Sequence, residues 1–241
     1  MLPCAMYSPT QYLPVPPPPL DSAAYAESYQ QVLDLGRSDS VVRTADQTRF
    51  ALQIAGVNYR PGPFALWNDV ARGFAASRNL SLLEAARLFA LMNVSMHDGL
   101  MTSHTSKYVY HLWRPITAIA KAAEDVNDAT IPDPTWTPLL ATPPYPSHAS
   151  NVSCIGTSAA RALARFFDTD VAPFSVTWTW TGAAGAGMDV TRNFNTLSQL
   201  ADEAGMSRVH GGIHFDFEVD AAAAACRKVG DFVFEHTMRP L

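Results

Sequence analysis

Six side chains in three separated stretches have the chemistry of an oxyanion site. They are Lys107 and Arg114 in KYVYHLWRP, Ser147 and His148 in PPYPSHAS, and Arg208 and His214 in SRVHGGIH. Lysine and arginine neutralise anionic oxygens, and the arginine fork suits a tetrahedral anion better than a point charge does. A serine hydroxyl adds one hydrogen bond, and imidazoles serve as ligand, nucleophile or acid/base near neutral pH. Gly211 and Gly212 lie between Arg208 and His214, where glycine lets the backbone approach a bound group and leaves N–H donors exposed. Lys107 and Arg114 stand seven residues apart, so a continuous helix would project both from nearly the same face.

The elements that must position these groups read as helices. Residues 1–20 hold the run VPPPP from Val15 to Pro19 and are expected to be extended and draped over the surface. From there to residue 241 the chain reads as one helical domain. Asp21 or Ser22 caps a helix ending near Gly36, and Thr44 with Gln47 forms a capping box for a second, ending near Gly56. A third runs from Phe64 to Ser77. Ser81 and Glu84 box the longest apolar helix, which runs on or bends near Gly99 toward Lys107. A short helix follows Pro115. The proline-rich stretch from Asn127 to Pro146 has no periodicity and reads as a long loop of the kind that lines a site. Ser147 and His148 open a helix to about Phe167, VTWTWT alternates as a short strand, and Gly182 to Gly187 reads as a flexible turn. Two helices close the chain, one delivering Arg208 and one starting just after His214. The expected fold class is all-α, with strand at a few per cent.

Composition narrows the function classes. A net charge of −5 argues against a nucleic-acid binder. No window reaches the roughly 18 apolar residues of a membrane span, and the N-terminus lacks a charged segment followed by an apolar one, so no secretory signal is read there. Cys4, Cys154 and Cys226 are too few and too scattered for a disulfide framework or a zinc site, and the latter two read as small core residues. His97, His104 and His111 recur every seven residues, but successive members lie about 10 Å apart along a helix and cannot share one ion. They read instead as polar positions flanking the Lys107/Arg114 face.

In order and spacing, K-x6-R-P, the Pro-Ser-His stretch and S-R-x5-H resemble the vanadium-dependent haloperoxidase and type 2 phosphatidic acid phosphatase superfamily. RTADQTRFA, WNDVARGFA, LLEAARLFALMN, DPTWTPLL and LSQLADEAGMSR extend the likeness to its soluble bacterial haloperoxidase-like branch. The resemblance implies a helical bundle with long proline-rich loops and a vanadate cofactor, with phosphate as a competing anion. It implies that Lys107, Arg114, Ser147 and Arg208 surround the anion, that His214 binds vanadium, and that His148 is the acid/base. The implied partners are hydrogen peroxide and a halide, bromide or iodide favoured, or else a phosphate ester cleaved through a phosphohistidine. A non-catalytic anion-binding or assembly module is the third reading. Such proteins usually carry a longer N-terminal portion, so the chain reads as a short form or a truncation, with an apolar face left for a partner subunit. A homo-oligomer is compatible with that reading, and compartment is open, since relatives are often exported.

The chain departs from the family pattern chiefly in its middle motif, and His210 stands where the branch commonly has a tyrosine. Where the superfamily has P-S-G-H, this chain has Pro146-Ser147-His148-Ala149. Either the glycine is deleted and His148 keeps the acid/base role, or His148 fills the glycine slot and the role is lost. Tyr145 is the nearest candidate for the aromatic residue that tunes halide use. Glu218, one turn beyond His214, either orients its imidazole or is a solvated helix-face carboxylate. His210 takes a position near the site or on its rim.

Overall fold

The computed structural model describes residues 2–183 and 187–239, so the middle of the Gly182–Gly187 turn lies outside the described residues. The molecule is mostly helical, as its periodicity predicts, with one small antiparallel sheet. In chain order the helices are α1 (Ala23–Gly36), α2 (Ala45–Ala55), α3 (Pro63–Ser77), α4 (Leu82–Tyr110), α5 (Pro115–Ala120), α6 (Asn151–Phe167), α7 (Leu197–His210) and α8 (Asp216–His236). Their starts follow from local chemistry. Ser22 accepts the Tyr25 N–H, and both boxes, Thr44 with Gln47 and Ser81 with Glu84, are formed. Strand β2 (Val171–Trp180) is longer than the VTWTWT alternation suggests. It pairs with β3 (Val190–Thr196) and, at Trp180 and Thr179, with the two-residue β1 (Tyr59–Arg60).

Helix α6 lies at the centre, packed on α3, α4, α7 and α8. Its buried face is mostly small residues, Cys154, Gly156, Ser158, Ala159, Ala160 and Ala162 among them, which lets neighbouring backbones come close. Gly99 answers this on α4: a Cβ there would sit 2.8 Å from Ser158 Oγ. The 29-residue helix runs unbroken through Gly99, and the glycine serves close packing instead of a bend. The main core gathers Trp67, Leu88, Ile155, Leu163, Trp178 and Leu197 under the sheet. A second, around Tyr25, Tyr29, Trp136 and Phe215, seats α1 and the proline-rich loop.

Two expectations are corrected here. Cys154 and Cys226 are not simply small core residues; they form a disulfide joining α6 to α8. Their separation of 72 positions hides this, because only the packing of the two helices brings the α-carbons to 5.1 Å. Ser147 and His148 also do not open α6. Ser150 is its N-cap, accepting the Ser153 N–H, so the preceding residues are free of helical geometry.

The N-terminal segment makes turns between Ser8 and Leu13, has no regular secondary structure from Leu13 to Pro19, and is fastened at several points. The Asp98 carboxylate accepts the N–H groups of Cys4, Ala5 and Met6. Tyr110 donates to the Pro14 carbonyl, and Tyr7 and Tyr12 set their edges on Phe232. Among the described residues, no helix is long and apolar enough to cross a membrane.

Candidate active site

Lys107 sits in the last turn of α4, and its Nζ donates to the carbonyls of Ser147 (2.7 Å) and Ala149 (2.6 Å). Arg114 reaches the same place by another route than a shared helical face. The helix stops at Tyr110, and His111 adopts a left-handed conformation (φ 52°) as its C-cap. Arg114 is then extended and caps α5. Convergence of the two cations thus depends on a reversal that heptad spacing does not reveal. Arg114 Nε donates to the Tyr145 carbonyl and Nη1 to Ile213 O, with His214 Nε2 3.1 Å from the same nitrogen. Arg208, in the last turn of α7, completes the set, and His214 follows in the connection to α8.

Glu218 ties these parts together. It is fully buried, accepts from His214 Nδ1 at 3.0 Å and from Ser147 Oγ at 2.6 Å, and caps α8 through the Phe215 N–H. It is therefore no solvated helix-face carboxylate. Since a carboxylate only accepts, Nδ1 carries the proton, and the lone pair lies on Nε2 toward Arg114. Burial drives His214 below the usual histidine range, against the pull of Glu218. Burial alone would raise Glu218, but His214, Lys107 and Ser147 outweigh it and hold the carboxylate ionised.

Lys107 and Arg114 both feel the Glu218 charge, and Arg208 lies close enough to Arg114 to be repelled by it; Lys107 is fully buried and Arg208 only 3% exposed. Burial lowers Lys107 to about 7, opposed by Glu218 and reinforced by Arg114. It lowers Arg208 to about 10. Among the described residues, Arg114 Nη2 and Arg208 Nε are buried without a hydrogen-bond partner. Unpartnered buried donors on charged groups are costly, and an anion of matching geometry would relieve both that cost and the excess positive charge. The donor set fits a tetrahedral oxyanion such as vanadate or phosphate.

The remaining predicted residues are placed as follows. Tyr145 covers the cations, its ring centroid 5.1 Å from the Arg114 guanidinium carbon and 5.5 Å from Lys107 Nζ. His148 is wholly buried between Tyr110 and Phe217; its Nε2 meets the Val15 carbonyl at 2.8 Å, and Nδ1 has no partner among the described residues. His210 is not among the groups touching the cation cluster. It lines a surface pocket of about 300 Å³ with Asp46, Phe50 and Met206, and its carbonyl accepts from Arg43. The glycines do not offer free donors either. Gly211 N–H bonds Ser207 O and Gly212 N–H bonds Val209 O. Gly212 (φ 74°) is there because a Cβ would lie 2.4 Å from Gly36 O. Sequence reasoning missed the reach of the proline run, whose first residue, Val15, touches His148.

A family model described as the VCPO second helical-bundle domain matches residues 87–241, which include every one of the six motif residues. The chain belongs to that family. Vanadium chloroperoxidase of Curvularia inaequalis is 22% identical over 235 residues, a stretch that takes in 81% of this chain and 37% of that protein. A solved structure titled as the first bacterial vanadium-dependent iodoperoxidase superposes with a TM-score of 0.74 at 27% identity, covering 96% of this chain and 54% of the other. A holo-type bacterial vanadium-dependent chloroperoxidase gives 0.77 at 18% identity, covering 97% and 52%, and supports the fold alone. This chain thus spans between about a third and a half of the length of these relatives.

Proposed function

We propose that this chain is a vanadate-dependent haloperoxidase that oxidises bromide or iodide in preference to chloride. The net reaction is hydrogen peroxide plus halide plus a proton giving hypohalous acid and water. The observation that carries the reading is the pair of buried guanidinium nitrogens, Arg114 Nη2 and Arg208 Nε, which have no hydrogen-bond partner among the described residues, together with His214 Nε2, whose lone pair is directed at Arg114 Nη1. Membership of the family supplies the choice of anion, and the likeness to an iodoperoxidase supports the halide preference.

In this reading Lys107, Arg114 and Arg208 neutralise the anion, and His214 Nε2 is the vanadium ligand. Vanadate, when bound, supplies a Lewis-acidic centre that makes peroxide electrophilic toward halide. Glu218 keeps the His214 proton on Nδ1 and so keeps Nε2 available. Ser147 has one proton, which points at Glu218 in the anion-free protein; to donate to an oxygen of the anion the hydroxyl turns that proton away from the carboxylate. His148 is the acid/base. The Val15 carbonyl holds a proton on Nε2, which leaves Nδ1 as the nitrogen that exchanges one. Tyr145 shields the cluster from water.

The test is bromination of a simple organic acceptor with peroxide and bromide, on metal-stripped protein before and after adding orthovanadate. Activity that appears only with vanadate, and is lost in Lys107→Ala and His214→Ala, is the expected result. Vanadate bound without turnover of bromide or iodide would overturn the haloperoxidase reading.

A further inference from the structure

A second cluster of reactive side chains brings His97 and Asp98 of α4 together with Cys4 of the N-terminal segment, partners that the heptad spacing of the histidines does not indicate. Cys4 Sγ stands 3.4 Å from His97 Nδ1, and His97 Nδ1 stands 3.1 Å from Asp98 Oδ1. The three ligand atoms all lie within 4.8 Å of one another. We propose that Cys4, His97 and Asp98 form a binding site for a borderline-soft divalent cation of the zinc type, with a water-accessible fourth position.

Three observations carry this. The first is distance. With bonds of about 2.3 Å to sulfur and about 2.0 Å to nitrogen or oxygen, tetrahedral angles put S and N about 3.5 Å apart and N and O about 3.3 Å apart. The observed 3.4 and 3.1 Å match within the tolerance of such sites. The second is lone-pair accounting at Asp98. A carboxylate has about four acceptor positions. Oδ2 takes the Ala5 and Met6 N–H groups and Oδ1 takes the Cys4 N–H, which leaves one position on Oδ1, facing His97. The third is the imidazole itself. Nδ1 meets both a thiol and a carboxylate but can make only one hydrogen bond, donated or accepted; a cation among the three satisfies all of them.

The site is also pre-organised and open. Asp98 is wholly buried and clamped by backbone donors, and His97 is fixed by its place on α4. Cys4 is exposed and the His97 side chain is 33% exposed, so an ion can enter and keep a water. A thiolate, an ionised carboxylate and a neutral imidazole balance a divalent charge. The bound ion would staple the N-terminal segment to α4.

Cobalt(II) titrated under argon into the whole chain reads this directly. One equivalent is expected to give a near-ultraviolet thiolate-to-cobalt charge-transfer band with visible d–d bands, both displaced by zinc(II). Cys4→Ser should remove the charge-transfer band, and His97→Ala should weaken cobalt binding at least about tenfold. Lys107→Met, which alters only the anion cluster, should leave both unchanged. Zinc should raise the melting temperature of the parent chain and not of Cys4→Ser, since a ligand for the native state stabilises it by mass action. Absence of a charge-transfer band at millimolar cobalt, or its persistence in Cys4→Ser, would overturn the proposal.

Discussion

Two buried charges on the same helix, about 14 Å apart at 1.5 Å per residue, are treated in opposite ways. Asp98 is wholly buried and receives three backbone N–H bonds from the segment it anchors. Near the far end of α4, Lys107 donates to two carbonyls, while Arg114 Nη2 and, close to that arginine, Arg208 Nε have no partner among the described residues. One cluster is nearly complete in the protein alone, and the other is not. Asp98 keeps at most one oxygen position for a ligand and is first of all an anchor, whereas the two guanidinium nitrogens leave whole donors for one.

Mutations can break this contrast, because the two clusters should respond with opposite sign. Asp98→Ala strands three backbone donors and is expected to cost about 3–5 kcal/mol in urea unfolding. Replacing Cys154 and Cys226 together by Ala should cost about 2–4 kcal/mol by the same measurement. Glu218→Gln, which keeps shape but loses the charge that orients His214, should lower vanadate affinity or turnover about 10–100-fold. Arg208→Met should do the reverse of Asp98→Ala: the anion-free protein should gain about 1–2 kcal/mol while losing its stabilisation by phosphate. A loss of stability there would show that Arg208 is a structural cation.

The smallest effect sharpens the comparison through pH. Lys107 titrates near 7 in the fold against its ordinary 10.5. Between those values the unfolded chain binds more protons, so the anion-free protein should gain stability as pH rises from about 7 to about 10. Below about 7 this contribution is constant. Phosphate favours the charged amine and should flatten the rise, and Lys107→Met should remove it; melting curves over this range decide both.

Much of this was legible in the chain. Capping boxes and apolar periodicity locate α2 and α4 because those signals are local. The motif residues were legible as a set because their order and spacing resemble one superfamily pattern, even though more than a hundred positions separate Lys107 from Arg208. What escaped depends on single backbone conformations or on packing. Heptad spacing put Lys107 and Arg114 on one face, while a left-handed His111 ends the helix between them. The Cys154–Cys226 bridge, the Cys4–His97 contact and the Val15–His148 bond join residues 72, 93 and 133 positions apart. No periodicity encodes such pairs; they exist only once α4, α6, α8 and the N-terminal segment are packed. His210 and the two glycines were misread because their neighbours in sequence are catalytic candidates, whereas their neighbours in space are Arg43, Gly36 and Pro138.

The disulfide has one more consequence, for tolerance to change. It closes a ring that contains most of α6, the sheet strands β2 and β3, and all of α7, while Ser147 lies just before the ring and Glu218 just inside its far end. Insertions or deletions at the β2–β3 connection would therefore alter the circumference of a covalent loop without shifting its clasp. The hydrogen bond between Ser147 and Glu218 sits beside that clasp, so the loop can diverge in length among relatives while the two shores of the anion cluster stay in register.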